Sequence, residues 1–403
     1  MVLIVLVFLL VAGIAFYQAV QGAFSALIMA LLSILCAALA FEFYEPLARE
    51  LLYGRQPAHA DAVMLLALFI LPLLLLRILT DRFIPSNVIM GLWPDRIAGA
   101  AMGLISGLIV AGVFTIVLQL LPTGPRFLMY RPFNDALQRE QSLAPFYPDE
   151  FTIGLVNWMS GPGGSLGDAR SFRQDHDNLL LESWCARNEA NQVRKVDEED
   201  RLERIGRMDA PPNSLTVLGC YDPNEVPWRD EIPKDPLMEE RGETPGRILI
   251  LRVAVEETAR DKEDNWWRLP ATHFRLVTRK KDLGPSAPAI SHYPVAYLTG
   301  REILVTYESN TPGPISWKPI SAALDDDRKA QVGRLTVARQ WQREGGPKQL
   351  IVDWVYRVGA DEEPDYVTFR RVAKKELAPF LPVKFGLPDA DTALDRRVPK
   401  FSN

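Results

Sequence analysis

The sequence predicts a multi-domain membrane protein, built from a four-helix transmembrane α-bundle, a helical connector and a C-terminal all-β sandwich. Two observations predict it. Residues 1–122 carry only five of the 45 Lys and Arg residues and six of the 50 Asp and Glu residues, so an apolar block is joined to a highly charged one. From Ser214 onward, apolar residues recur with a period of two, which is typical of strands that bury one face. This composition excludes a plain soluble enzyme and a purely membrane-embedded transporter.

The apolar block contains four runs that are long enough to cross a bilayer. A hydrocarbon core needs about 20 mostly apolar residues per helix. A cleaved signal peptide is the alternative for the first run, but such peptides begin with a positive segment and residues 1–4 carry no charge. We therefore predict four spanning helices, at about residues 2–20, 23–41, 62–79 and 97–121, in a domain covering residues 1–122.

The fourth run carries small residues at four-residue spacing: Gly99, Gly103, Gly107 and Ala111. Small residues let helix backbones approach closely in lipid, where burial of apolar area does not drive association. Two interpretations remain open. The stripe packs against another helix of the same chain, or it joins two copies in a homo-oligomer.

The arginines indicate an orientation, because the cytoplasmic loops of membrane proteins carry the excess of Lys and Arg. Three basic residues flank or occupy the loop between helices three and four, against two between helices two and three. They are Arg77, Arg82 and Arg96 against Arg49 and Arg55. This predicts a multi-pass membrane protein with a cytoplasmic loop at residues 80–96 and with the N-terminus and the C-terminal half outside the cytoplasm.

The apolar block also resembles a known family. Gly22 follows the first helix, the second helix ends in the acidic, proline-bearing stretch 43–47, and the fourth opens with Asp95 and Arg96 before its glycines. These features resemble the bacterial colicin V production protein (CvpA) family over residues 1–122.

That resemblance implies a membrane module needed for toxin production and export, which in some relatives anchors an extracytoplasmic domain. Two positions depart from the family pattern. Gln21 and Ser106 stand where the family often has Arg. What those arginines do in relatives is therefore not carried over to this chain.

Residues 123–213 are predicted as a helical or irregular connector. A short amphipathic helix begins at Pro148, places Phe151 and Leu155 near one face, and ends at the glycine-rich stretch 161–164. Two placements remain open for it, packing beneath the next domain or lying on the membrane surface. Residues 171–208 mix both charge signs and predict helix or partial disorder.

Residues 214–380 are predicted as a β-sandwich and residues 381–403 as a flexible tail. Gly-Pro turns separate short alternating segments, which favours several strands in one sandwich. The layout is similar to the Ig-like domains of bacterial membrane proteins, without a diagnostic motif. The predicted strands are 215–218, 247–255, 274–278, 303–307, 334–338, 349–358 and 366–372.

No catalytic, metal or cofactor site is predicted. None of the four histidines (His59, His176, His273 and His292) lies at metal-ligand spacing from another or from a cysteine. The run 175–177, Asp-His-Asp, is predicted as exposed helix surface rather than as a cation site. Ser165 is predicted as a loop residue rather than a nucleophile, since no Gly-x-Ser-x-Gly motif is present. An unrecognised hydrolase is kept only as a third hypothesis.

The three cysteines have different expected environments. Cys36 lies in the second apolar run and is predicted to be a small packing residue. Cys185 and Cys220 both lie in the polar part, where an oxidising compartment favours a disulfide between them. Two separate buried thiols are the alternative.

These features together predict a non-enzymatic inner-membrane protein whose helices contact membrane lipids and whose β-sandwich binds an envelope or protein partner. The net charge of −5 argues against a nucleic-acid partner. Trp266 and Trp267 are the candidate ligand contacts, with burial in the core as the alternative for both. A second hypothesis is a transport or export component, in which the helices carry out transport and the soluble domain regulates it.

Overall fold

The computed structural model divides the chain into two compact units, Met1–Arg187 and Asn188–Asn403. The helical unit contains the bundle and the connector helices, and the β unit contains the strands. The structure describes residues 2–83, 91–123, 126–134, 137–160, 172–187, 193–195, 202–204, 210–222, 247–259, 267–299, 316–319, 334–337 and 349–377.

Among the described residues, four helices are long and apolar enough to cross a membrane. This confirms the prediction of a multi-pass membrane protein. The helices are α1 Val2–Gln21, α2 Ala23–Leu51, α3 Pro57–Phe83 and α4 Leu92–Leu120.

The helix ends differ from the predicted ones where the chain makes contacts beyond the apolar run. α2 continues through Pro46 to Leu51, past the predicted end at residue 41. Tyr44 and Ala48 in this extension are fully buried, so packing keeps the chain helical despite the backbone hydrogen bond that Pro46 removes. α4 begins five residues earlier than predicted. Pro94 is accepted there because the first turn of a helix leaves its N–H groups without intrahelical partners.

α4 is the central helix of the bundle and packs along α1 and α2. Val11 lies beside Gly107 and Gln18 lies beside Gly99, so α1 and α4 are antiparallel. The start of α4 lies at the start of α2, where Asp95 contacts Ala23, so these two helices are parallel. α1 begins, and α2 and α4 end, on one side of the membrane.

Three further helices follow in the connector: α5 Pro148–Met159, α6 Phe172–Asp175 and α7 Leu179–Arg187. α5 begins at the predicted residue and packs mainly on α4. The sequence predicted helix or disorder for residues 171–208, but strands β1 Val193–Lys195 and β2 Leu202–Arg204 pair antiparallel within that segment. Their backbone register pairs residue 194 with residue 203.

The β unit contains two larger antiparallel sheets, with strand orders β3-β4-β11-β8-β9 and β13-β12-β6-β7, and a β5-β10 pair. Both sheets contribute buried residues to one hydrophobic core, including Leu251 and Trp354 from the first and Phe274 and Phe369 from the second. The strands are β3 Leu215–Tyr221, β4 Arg247–Glu256, β5 Trp267–Pro270, β6 Phe274–Lys280, β7 Ile290–His292, β8 Ala296–Thr299, β9 Ser316–Pro319, β10 Arg334–Val337, β11 Gln349–Val358, β12 Glu362–Phe369 and β13 Ala373–Glu376.

This architecture confirms a C-terminal β domain with antiparallel sheets. The long apolar strands β4 and β11 lie within one residue of their predicted bounds. β7, β8 and β13 were not predicted, because three or four residues are too short to show alternation. The predicted strand 303–307 and the predicted tail 381–403 lie outside the described residues.

Candidate functional site

Two of the residues that carry the family resemblance, Gly22 and Asp95, meet at one junction in the helical unit. Gly22 is the N-cap of α2 and has a positive φ of 99°, a conformation that favours glycine. A Cβ at this position would lie 2.7 Å from Asp95 Oδ2. Asp95 Oδ1 accepts a hydrogen bond of 2.9 Å from the backbone N–H of Ala23. The junction therefore consists of a side-chain-free turn and a carboxylate from α4, with the neighbouring Arg96 exposed.

The glycine stripe of α4 lies against α1. A Cβ at Gly99 would lie 2.9 Å from the Gln18 carbonyl oxygen, and one at Gly103 would lie 2.7 Å from Gln18 Cβ. A Cβ at Gly107 would lie 3.2 Å from the Val11 carbonyl oxygen. The stripe packs within one chain, where it brings two antiparallel backbones together.

Ala111, the last residue of the stripe, is fully buried in the cluster that contains Leu3, Val7, Tyr130 and Leu143. This cluster joins the start of α1, the second half of α4 and the connector. The sequence did not single out the connector residues, because an isolated Tyr or Leu in a polar segment carries no periodic signal.

Gly112 forms a second close contact, which the spacing of the stripe did not reveal. A Cβ there would overlap Thr152 Oγ1 and the Pro148 carbonyl oxygen of α5. Thr152 Oγ1 donates a hydrogen bond of 3.4 Å to the Leu108 carbonyl oxygen. α5 is therefore seated directly on the backbone of α4.

A polar cluster lies where the connector meets the end of α4. Asp149, in the first turn of α5, is fully buried. Its Oδ2 accepts a hydrogen bond of 3.4 Å from Gln119 Nε2 and lies 3.7 Å from Arg139 Nη2. Arg139 also pairs with Glu150 at 2.6 Å. Burial raises the pKa of Asp149 above its ordinary value, although Arg139 opposes the shift.

Two acceptor atoms of this cluster lack a hydrogen-bond partner among the described residues, Asp149 Oδ1 and Gln119 Oε1. A buried acceptor without a donor is costly, and a proton on the carboxyl would supply one donor.

A buried ionic cluster ties α2 to the connector. His176 Nδ1 lies 2.6 Å from Glu182 Oε2, and His176 Nε2 lies 3.2 Å from Glu45 Oε1. The Phe172 ring lies 4.9 Å from the imidazole and 5.4 Å from the Phe41 ring. The two carboxylates raise the pKa of His176 to about 10, against the desolvation that would lower it. The imidazolium thus donates from both ring nitrogens, which is an ion-pair arrangement rather than a metal site.

The prediction of an exposed surface at residues 175–177 is therefore wrong for His176, which is only 5% exposed. The flanking aspartates suggested a solvated helix. Glu45, which pairs with His176, lies on α2, more than 120 residues earlier, so local sequence does not reveal the pair. Within the described ranges, no group of three or more His, Cys, Asp or Glu residues is arranged to hold a metal ion.

The β unit buries a charged pair on the strand face opposite Leu251 and Trp354. Arg252 on β4 and Asp353 on β11 are register partners. The guanidinium donates two hydrogen bonds of 2.7 Å to the carboxylate, and Tyr221 donates a third of 3.0 Å. Asp353 is fully buried. The sequence signal for this pair is one charged residue in the middle of each of two apolar strands, Arg252 in β4 and Asp353 in β11.

The four-stranded sheet holds a second polar cluster. Glu362 Oε2 accepts a hydrogen bond of 2.5 Å from the Thr278 hydroxyl and lies 2.6 Å from His292 Nε2. The same ring nitrogen lies 3.0 Å from Thr278 Oγ1. One carboxylate thus joins strands β6, β7 and β12, as an internal cross-link of the sheet.

The remaining predicted residues have separate locations. Cys185 lies in α7 of the helical unit and Cys220 in β3 of the β unit, and both are buried. Cys220 is a free thiol, so the predicted disulfide is absent from this structure. Burial raises the pKa of Cys220 to about 12, which makes it a poor nucleophile. Trp266 and Ser165 lie outside the described residues, and only the backbone of Trp267 is described, in β5.

The chain matches no protein-family model, no curated protein and no solved structure. The resemblance to the colicin V production proteins therefore stays a prediction.

Proposed function

We propose that this is a non-enzymatic protein of the bacterial inner membrane, of the colicin V production type. Its helical unit anchors an extracytoplasmic, Ig-like β unit that binds a protein or another envelope component. The observation that carries the proposal is the attachment of the connector to the bundle through Gly112–Thr152 and through Glu45–His176. The connector is thus held against the bundle, and the β unit that follows it in the chain has a hydrophobic core of its own.

The parallel arrangement of α2 and α4 supports the proposed orientation. α2 and α4 end on the side where the connector begins, whereas Arg82 and Arg96 flank the opposite end of the bundle. The excess of basic residues favours a cytoplasmic location for that opposite end. The connector and the β unit follow on the extracytoplasmic side.

Two measurements on the full chain test this proposal. We expect alkaline phosphatase fused after residue 403 to be active in intact cells, and green fluorescent protein at the same position to be dark. We also expect photo-crosslinkers at exposed Glu363 and Leu283 of the β unit to capture a discrete partner. A crosslinker at Leu71, on the exposed face of α3, is the matched control and should capture lipid. A fluorescent C-terminus, or capture of partners at Leu71 alone, would contradict the proposal.

Transport is the second candidate, and the buried Asp149 favours it. Ionisable groups within the membrane region commonly mark proton or ion paths, and Asp149 lies beside Gln119 near the end of a span. Proteoliposomes of the full chain with an internal pH dye and an imposed potassium potential test this directly. Proton uptake that Asp149→Asn abolishes, and that Glu363→Gln leaves unchanged, would support transport over anchoring.

A further inference from the structure

α5 and its flanking loop contact the spanning helices along the middle of their apolar runs. The uncharged run of α4 extends from Ile97 to Leu120. A bilayer core takes about 20 residues of helix, so any such window of this run contains both Leu108 and Gly112. Thr152 of α5 touches both of these residues. The middle of α5 therefore lies level with the hydrocarbon core.

A second contact places the preceding loop at similar depth. The Phe146 ring stacks on the Phe8 ring of α1, with centroids 5.7 Å apart. Phe8 lies in the middle part of a helix that carries no charge from Val2 to Gln21. Tyr130 and Leu143 pack against Leu3 and Val7 of the same helix.

The face of α5 that points away from α4 is apolar and exposed. Phe151, Leu155 and Trp158 lie along this face at helical spacing, and Trp158 is 78% exposed. Residues 151–160 carry no charge. Met129 in the preceding loop is also 71% exposed. Such a surface is costly in water but is solvated by lipid tails.

The charges of α5 are confined to its first turn, and Arg131 of the preceding loop pairs with Glu140 at 3.3 Å. Asp149 and Glu150 pair with Arg139 near Gln119, at the end of α4 where headgroups begin. α5 has 12 residues and is about 18 Å long, which is too short to cross a bilayer. The chain after α5 packs on the C-terminal half of α2, on the side where α4 ends, because Phe172 contacts Phe41 and His176 pairs with Glu45.

We propose that residues 127–134 and 137–159 belong to a re-entrant segment of the membrane domain, with Phe151, Leu155 and Trp158 in contact with lipid acyl chains. The occupant of this face is lipid, since the exposed apolar face of α1 around Phe8 continues directly into it through Phe146. The inference does not depend on the proposed function, because it concerns only the helical unit. It adds a fifth, membrane-inserted helix to the four spans, a placement that differs from the two left open for this helix from the sequence.

Spin-label accessibility in the reconstituted full chain tests the proposal. Spin labels are attached to one introduced cysteine at a time, Phe151→Cys or Trp158→Cys, in vesicles of phosphatidylethanolamine and phosphatidylglycerol. Wild type is the blank, because its three native cysteines are buried. Leu71→Cys on α3 is the lipid standard and Glu363→Cys the water standard. We expect both α5 labels to collide with oxygen several-fold more than with a nickel chelate, as at Leu71.

Two results would overturn the inference. Nickel accessibility like that at Glu363 would place α5 in water, and protection from both reagents would mean that protein covers this face. A milder substitution gives an independent measurement if the labelled variants fail to fold. Brominated lipids should quench less of the tryptophan emission in Trp158→Phe than in wild type, and unchanged quenching would equally refute lipid contact.

Discussion

Asp95 Oδ1 accepts a hydrogen bond from the backbone N–H of Ala23, and this contact joins the first turn of α4 to the first turn of α2. The first N–H groups of a helix have no intrahelical partner. Gly22, the N-cap residue of α2, has no side chain to cap them, so the carboxylate of another helix does. The negative charge also lies favourably at the positive end of the α2 dipole. One capping interaction therefore accounts for both residues: Gly22 leaves room for the carboxylate, and Asp95 supplies it.

Gly22→Ala should destabilise the helical unit. The positive φ costs about 1–3 kcal/mol for a residue with a side chain, and the new Cβ would crowd Asp95 Oδ2 at 2.7 Å. Gly13→Ala is the matched control, since no atom lies within 4 Å of a Cβ there and alanine favours a helix interior. Thermal unfolding in detergent, followed by circular dichroism at 222 nm, should show a lower midpoint for Gly22→Ala only. Equal midpoints for the two variants would refute the strained junction.

Asp95→Ala should lower the free energy of unfolding by about 0.5–2 kcal/mol, the usual cost of a lost N-cap. Asp95→Asn keeps an acceptor oxygen for the Ala23 N–H and should lose less. The same unfolding assay orders the three proteins. Should Asp95→Asn be as unstable as Asp95→Ala, the charge rather than the hydrogen bond would be the dominant contribution.

Gly112→Ala should loosen α5 from α4. Its Cβ would overlap Thr152 Oγ1, and overpacking of this kind costs about 1–3 kcal/mol. Gly154→Ala on α5 is the matched control, because a Cβ there contacts nothing within 4 Å. Hydrogen exchange of the α5 amides should accelerate in Gly112→Ala and stay unchanged in Gly154→Ala. Thr152→Ala should partly restore protection in the double variant, although the Pro148 carbonyl oxygen still opposes the Cβ.

The bundle was predictable because solvation by lipid depends on local composition alone. Four runs of about 20 apolar residues indicate four spans without knowledge of any contact. The helix ends were less predictable, since they depend on tertiary contacts. Pro46 and Glu45 suggest the end of α2 in sequence, yet the helix continues to Leu51, where Tyr44 and Ala48 are buried by packing that local sequence does not reveal.

The candidate sites were also hard to predict, because they too depend on contacts between residues far apart in the chain. Gly22 and Asp95 were singled out separately, but nothing local indicates that they touch. Gly112 was passed over because Ala111 continues the four-residue spacing of the stripe, whereas the chain uses the adjacent residue to seat α5. In the β unit, alternation predicted β4 and β11, but the pairing of Arg252 with Asp353 was not predicted, because it depends on which strands are neighbours and in which register.

The His176 cluster should make stability depend on pH. The pKa of His176 is raised from 6.5 to about 10 on folding, so the folded state holds a proton that the unfolded state releases. Its contribution is complete below pH 6.5 and is lost as pH rises towards 10, with a slope of about 1.4 kcal/mol per pH unit at most. His176→Gln should flatten the decline in unfolding free energy between pH 7 and 10. An equally steep decline in that variant would mean that other groups cause it.

Arg252→Leu should destabilise the β unit more than any exposed charge substitution. It leaves the Asp353 carboxylate buried without its guanidinium, which costs about 3–5 kcal/mol. Arg252→Leu with Asp353→Leu should recover most of that loss, because both charges are then removed together. Lys281→Ala breaks an exposed 3.8 Å pair with Glu363 and should change stability by less than about 1 kcal/mol. Pulse proteolysis of the full chain in urea measures all three variants. If the single and double leucine variants unfold at the same urea concentration, the buried pair is not what holds β4 and β11 in register.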